Sequence, residues 1–182
     1  LLLNPHAALE PSPWVLRWAN LIRPGGTVLD VACGSGRHLR WLAQRGFTVT
    51  GVDADADAVE PLRALGTVVV ADTERGPWPL AEQRFDAVIV TNYLWRPLLS
   101  TFVASVAPGG VLIYETFAVG NERFGKPSNP DFLLLPGELL WACATLQVTA
   151  YEDGLLDAPP RRVQRIAARR QAADPAPLEF GG

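Results

Sequence analysis

Apolar residues along this chain follow two alternating rhythms. Short runs rich in Val, Ile and Thr predict buried strands, and the stretches between them space apolar residues at the helical repeat. Thr27–Val31 follows the turn signal Pro24-Gly25-Gly26 and predicts the first strand. Residues 37–45 place Leu39, Leu42 and Ala43 on one face and end at Gly46, a natural C-cap, which predicts a helix. Phe47–Val52, Thr67–Ala71, Phe85–Val90 and Val111–Glu115 predict four further strands. Asp55 and Asp57 are alternative N-caps for a helix through Leu65, which Pro61 delays or kinks. Pro97–Val106 predicts a helix closed by the breaker Ala107-Pro108-Gly109-Gly110. Strands alternating with helices require parallel crossovers, hence an α/β doubly wound sheet.

The rhythm changes after Glu115. Residues 118–137 mix Pro, Gly and polar side chains and predict a cover loop over the carboxyl edge of the sheet. A short helix follows over Glu138–Ala144. Leu146–Tyr151 and Val163–Ala168 then predict strands with no helix between them, so an antiparallel hairpin turning near Asp153-Gly154 and Pro159-Pro160. Within 1–26, Ser12-Pro13-Trp14-Val15 precedes an N-terminal helix placed to act as a lid, and 172–182 is a Pro/Ala-rich tail expected to be loose. The length, 182 residues, suits one domain with a substantial core.

Composition excludes several partners. With 48% hydrophobic and 19% charged residues the chain is globular, and no apolar run approaches a membrane span. Leu1-Leu2-Leu3 is too short for a signal-peptide core, so a cytoplasmic location is expected. A net charge of −3 argues against a nucleic-acid partner. Arg161, Arg162, Arg165, Arg169 and Arg170 fall on an alternating stretch and read as a solvated strand face. Cys33 and Cys143 show no CxxC and no His at ligand spacing, so neither a metal site nor a disulfide framework is expected. The six Trp are expected in the core and around the pocket.

The candidate chemistry lies in VLDVACGSGRHLRWLAQRGFTVTGVDAD (28–55). Glycines after a strand let a ligand approach the backbone and open the next helix's N-terminus toward it. The dinucleotide pattern GxGxxG fails because Leu39 stands at its third glycine. A phosphate loop fails because Arg37-His38 follows Gly36. What remains is an acid at the end of each of three successive strands: Asp30, Asp53 and Asp72. An acid at Asp53 is placed to accept hydrogen bonds from both ribose hydroxyls, and Asp72 lies within reach of an adenine amino group.

These features resemble the class I S-adenosylmethionine-dependent methyltransferases. The matching pieces are VLDVACGSG (28–36), GVD (51–53), AD (71–72), FDAVIVTNYL (85–94) and PGGVLIYETF (108–117). More narrowly, residues 92–98 and GNERFGKPSNPDFLLLPGELL (120–140) resemble small bacterial methyltransferases of the tellurite-resistance type. The resemblance implies a Rossmann-like, mostly parallel seven-stranded sheet of order 3-2-1-4-5-7-6 with a C-terminal antiparallel hairpin. It implies S-adenosyl-L-methionine as methyl donor, held by Asp30, Cys33, Gly34, Ser35, Gly36, Asp53, Ala54, Asp72, Thr91 and Asn92. Gly34 and Gly36 would pack beside its methionine and ribose parts, with Asp30 facing its amino end. Trp78 is placed either beside the adenine or as a loop anchor.

The segment Thr91-Asn92-Tyr93-Leu94-Trp95-Arg96 would line the transfer site, with Tyr93 and Arg96 as the candidate catalytic residues. It is not the Asn-Pro-Pro-Tyr type that handles exocyclic amines, which disfavours DNA or protein-glutamine acceptors. Glu115, Arg123 and Lys126 are further residues placed to meet a polar acceptor. Cys33 sits in the donor loop and not after strand four, which argues against a cysteine nucleophile. His38 reads as a cap or surface residue. The expected activity is in-line methyl transfer to a small molecule such as a metalloid oxyanion, thiol, carboxylate or amine. The alternative is a non-catalytic protein that binds the donor or its product as a sensor or as the partner of another subunit, with RNA or protein methylation less favoured.

Overall fold

The structure, a computed structural model, describes residues 10–172. One sheet holds β1 (Thr27–Val31), β2 (Thr48–Asp53), β3 (Thr67–Val70), β4 (Phe85–Thr91), β5 (Val106–Phe117), β6 (Gln147–Asp157) and β7 (Pro160–Arg169). Their spatial order is β3-β2-β1-β4-β5-β7-β6. The first five strands pair in parallel, and β7 runs antiparallel to both β5 and β6. This is the expected architecture. The chain winds outward from β1 to β3 and resumes at β4 on the other side of β1. That reversal opens a crevice at the carboxyl ends of β1 and β4, where sheets of this kind take ligands. All of the expected tail beyond Ala172, and residues 1–9 of the N-terminal segment, lie outside the described residues.

Both faces of the central strands are buried, which is why they read as continuous apolar runs. Successive side chains alternate between two clusters. Leu29, Val88, Val90, Leu112 and Tyr114 join one with Phe102 and Leu139. Val28, Ala87, Ile89, Val111 and Ile113 join the other with Trp14, Leu39 and Leu42. The first face is covered by α4 (Leu99–Ala104) and α5 (Glu138–Ala142), the second by α1 (Pro13–Trp18) and α2 (Arg37–Ala43). Helix α2 ends as its sequence predicts: Gly46 has φ +81°, and the Phe47 and Gly46 amides donate to the Leu42 and Ala43 carbonyls.

Several boundaries differ from expectation, each for a local reason. Asp55, not Asp57, caps α3 (Ala56–Val59), and its carboxylate accepts from the Asp57 and Ala58 amides. Pro61 turns the rest of that segment into a 3-10 helix over Glu60–Ala64. Pro97 likewise opens a 3-10 turn, Arg96–Leu98, before α4 begins. The breaker 107–110 does not precede β5 but lies within it as a bulge: Val106 pairs with Phe85, and pairing resumes with Val111 opposite Ala87. The bulge is held from the end of the neighbouring β7 by Gly109 donating to the Arg170 carbonyl and Arg170 donating to that of Gly110. In the hairpin, Gly154 pairs with Val163 inside the strands, so the turn falls at Ala158-Pro159 and not at Asp153-Gly154. Asp153 is tolerated there because Arg162 meets it at 2.6 Å.

Candidate functional site

The loop after β1 takes a left-handed turn at three places: Ala32 (φ +52°), Gly34 (φ +51°) and Gly36 (φ +77°). Ala32 holds this conformation against its own side chain, a strain of the kind found at ligand sites. Two backbone bonds fix the loop, Cys33 N–H to the Val52 carbonyl and Gly36 N–H to the Cys33 carbonyl. The carboxylate of Asp53 does the rest. Its Oδ2 accepts from the Gly34 amide at 2.7 Å and its Oδ1 from the Asp55 amide at 2.9 Å. Asp72 accepts from the Glu74 and Arg75 amides at 3.1 and 3.2 Å.

Ala32, Asp53, Ala54, Asp72, Thr73 and Tyr93 line an open cavity of about 450 Å³ over the ends of β1 to β4. The Tyr93 and Thr73 hydroxyls meet at 3.0 Å. A second cavity of about 290 Å³ lies beyond Tyr93, between the ends of β4 and β5 and the 118–137 segment. Asn92, Thr116, Phe117 and Phe132 line it, and Tyr93 and Glu74 belong to both cavities. The 118–137 segment is firmly attached. Ala118 bridges Leu134, and Asn121 links the Pro127 carbonyl to the Arg162 amide.

Some expected site residues stand elsewhere. Asp30 is 1% exposed, lines neither cavity described above, and has Oδ2 3.4 Å from Nδ1 of His38. His38, expected at the surface, is equally buried, and its Nε2 accepts from the Ser12 amide at 3.2 Å. It is therefore a neutral imidazole with its proton on Nδ1. Gly34 has open space where a side chain would be, as ligand approach requires. Gly36 differs: its φ of +77° favours glycine, and a Cβ there would press on the Leu62 side chain. The Cys33 side chain points into the core beside Gly51, so only its backbone faces the site, whereas Ser35 is exposed on the loop.

Burial pushes the Cys33 thiol up to about 12, and the Cys143 thiol as far. The sign is clear: a raised thiol pKa leaves almost no thiolate near neutrality. Neither cysteine should react with Ellman's reagent at about pH 8 in the native protein, and both should react after unfolding. Rapid native-state labelling of Cys33 would contradict its placement.

Arg96 was expected to meet the acceptor, and the structure gives its guanidinium other partners. It holds Glu138 through two bonds of 2.7 and 3.0 Å and donates to the Asp131 and Leu133 carbonyls. The hydrogen bond to Glu138 raises its pKa further. Arg96 thus straps the cover segment to α5. Arg96→Ala should make proteolytic cleavage within 118–137 roughly tenfold faster while leaving far-UV circular dichroism unchanged. Unaltered cleavage would show that the segment is held without it.

Glu115 and Arg165 also leave the surface. Glu115 is 2% exposed and accepts from the Ser12 hydroxyl at 3.0 Å and from Arg165 at 3.3 Å. Arg165 in turn holds Glu152 and lies 4.7 Å over the Trp14 ring, so the arginine stretch is not simply a solvated face. Trp14 is buried and its indole donates to the Ile166 carbonyl, which makes the expected lid segment an anchored one. Trp78 packs edge-on to Phe102 and is the loop anchor, whereas Trp141 stands 80% exposed and belongs to neither core nor pocket.

Sequence reasoning passed over Arg37, Thr73 and Glu74. Arg37 donates to the Thr91 hydroxyl at 3.2 Å, and burial lowers its pKa against the opposing pull of Asp30 and Glu115. It is a guanidinium held between the glycine loop and the end of β4. Its signal was present in the sequence, a cation directly after the glycine turn. Among the described residues no group of three His, Cys, Asp or Glu side chains has metal-binding geometry.

Known proteins match this arrangement. Residues 28–110 match a family model described as a methyltransferase domain. Ribosomal protein L11 methyltransferase from Burkholderia mallei is 40% identical over 95 residues, 49% of this chain and 31% of that protein. The chain therefore spans under a third of the length of that curated relative. TehB from Haemophilus influenzae has the same fold (TM-score 0.68, 19% identity, covering 86% of this chain and 61% of that one). So does a TehB-like S-adenosylmethionine-dependent methyltransferase from Corynebacterium glutamicum (TM-score 0.65, 17% identity, 91% of each chain). Residues 28–110 thus match a methyltransferase domain, and the sheet order and the glycine loop after β1 accord with that match. Its fold is the one that TehB and the TehB-like methyltransferase share.

Proposed function

We propose that the chain transfers a methyl group from S-adenosyl-L-methionine to a small-molecule acceptor bound between Tyr93 and the 118–137 segment. The observation that carries this is the pair of cavities meeting at Tyr93 and Glu74. The residues of the first cavity fit the donor. Asp53 and Asp72 offer carboxylate oxygens to ribose hydroxyls and an adenine amine, and the open side of Gly34 admits a ligand against the backbone. Arg37, which donates to Thr91, supplies a cation for the donor's carboxylate. When bound, the donor supplies an electrophilic methyl group on a positively charged sulfur.

The chain's own contribution is alignment, and effective molarity alone contributes roughly 7–11 kcal/mol. Burial raises the Tyr93 pKa, so at neutral pH it is a phenol that forms a wall and not a general base. The cover segment forms one wall of the second cavity through Pro127 and Phe132. In this reading the described residues act as one donor-binding domain, with Ser12–Trp14 bracing it from the N-terminal side. A protein acceptor is the second reading, favoured by the similarity to the ribosomal protein L11 methyltransferase. No helix among the described residues is long and apolar enough to cross a membrane, and we place the activity in the cytoplasm.

Calorimetry with S-adenosylhomocysteine, followed by mass detection of methylated products from an acceptor panel, tests the proposal. Binding together with a methylated small molecule is the expected result. Binding without product on any small molecule or ribosomal protein returns the chain to a sensor of the donor.

A further inference from the structure

The second cavity has a marked chemical bias. Tyr93, Phe117 and Phe132 give it three aromatic rings, while Asn92 and Thr116 give it neutral polar atoms. Its only ionisable group besides the Tyr93 phenol is the carboxylate of Glu74, and among the described residues no Arg, Lys or His lines it. The cations that sequence placed nearby are engaged or outside. Arg96 is held by Glu138 and two carbonyls, Arg37 donates to Thr91 and lines neither cavity, Arg75 lines the first cavity and not the second, 3.9 Å from Asp72, and Arg123 and Lys126 are exposed and outside the lining.

An oxyanion or a carboxylate entering this cavity would lose water and meet a like charge, with no cation to receive it. A cationic nitrogen would meet aromatic faces, which attract cations through the ring quadrupole, and an opposing carboxylate.

We infer that the acceptor is a small molecule carrying an amine, bound through its ammonium form by Glu74 and the Tyr93, Phe117 and Phe132 rings. This rests on the methyl-transfer reading above and selects among its acceptors. The step balances. Glu74 takes a proton from the ammonium, leaving a neutral amine with a free lone pair. That pair forms the nitrogen–carbon bond to the methyl group as the carbon–sulfur bond breaks. The electrons of the broken bond stay on sulfur, giving neutral S-adenosylhomocysteine and an N-methylammonium product. Glu74 is exposed on its other side and passes its proton to water.

Benzyltrimethylammonium, an unreactive mimic of a methylated amine, and phenylacetate, of similar size and opposite charge, are the probes. Each is titrated by NMR into protein saturated with S-adenosylhomocysteine. The ammonium should bind at least roughly tenfold more tightly than phenylacetate. Phe132→Ala should weaken the ammonium several-fold, Glu74→Gln should remove most of the preference, and Glu74→Lys should reverse it. Equal or tighter binding of phenylacetate or tellurite overturns the inference, as does a preference untouched by Glu74→Gln. The same titrations separate the two proposals. If S-adenosylhomocysteine does not bind, the methyl-transfer reading falls and this one with it; if it binds and the ammonium does not, only this inference falls.

Discussion

Asp53→Ala should abolish detectable S-adenosylmethionine binding at micromolar donor while the protein stays folded. Hydrogen bonds to a charged group contribute on the order of 1.5–3 kcal/mol. Losing the ribose contact alone therefore weakens binding roughly tenfold to a hundredfold. The structure adds a second loss. Asp53 also holds the Gly34 amide at 2.7 Å and the Asp55 amide at 2.9 Å, so alanine releases the glycine loop as well as the ligand. Asp53→Asn keeps one carbonyl oxygen, and its affinity should fall between the two. Calorimetry decides the matter: an unchanged dissociation constant in the alanine variant would remove Asp53 from the donor site.

Glu115→Ala should be the most damaging single change to stability among the charged residues, costing about 3 kcal/mol in urea unfolding. Glu115 is buried and accepts from Ser12 and Arg165 at once, so its loss orphans a buried hydroxyl and part of a guanidinium. Glu152 touches the same Arg165 and also Arg17, yet its side chain is 42% exposed. Glu152→Ala should cost less than about 1 kcal/mol, as exposed pairs do. Equal effects of the two substitutions would mean that burial does not set the worth of this network.

The strands were legible because each central one is buried on both faces and leaves an uninterrupted apolar run. The acids at their ends were legible because Asp53 and Asp72 do stand at the carboxyl edge, on one cavity. What pattern does not carry is the identity of a partner far away in the chain. Arg96 meets Glu138 across 42 residues and Arg165 meets Glu115 across 50, and nothing local distinguishes them from solvated charges. The two glycines show the same limit. Gly34 and Gly36 look equivalent in sequence, yet one faces open space and the other the side chain of Leu62. The 107–110 breaker misled because a bulge and a loop share turn residues. Only the strand beyond, reached through Arg170, makes it a bulge.

The place of β7 between β5 and β6 has a consequence for how the protein is made. Until residues 160–169 leave the ribosome, β5 has no neighbour on its outer side and presents a bare row of amides and carbonyls. Thr116 and Phe117, which line the second cavity, pair with Gln164 and Val163, and Trp14 waits for the carbonyl of Ile166. The nascent chain can lay down its parallel half early, but the wall of the second cavity and the brace across it are completed last. A chain cut short before β7 would carry the whole glycine loop on a sheet with an open, sticky edge, a species suited to chaperones and proteases and not to chemistry.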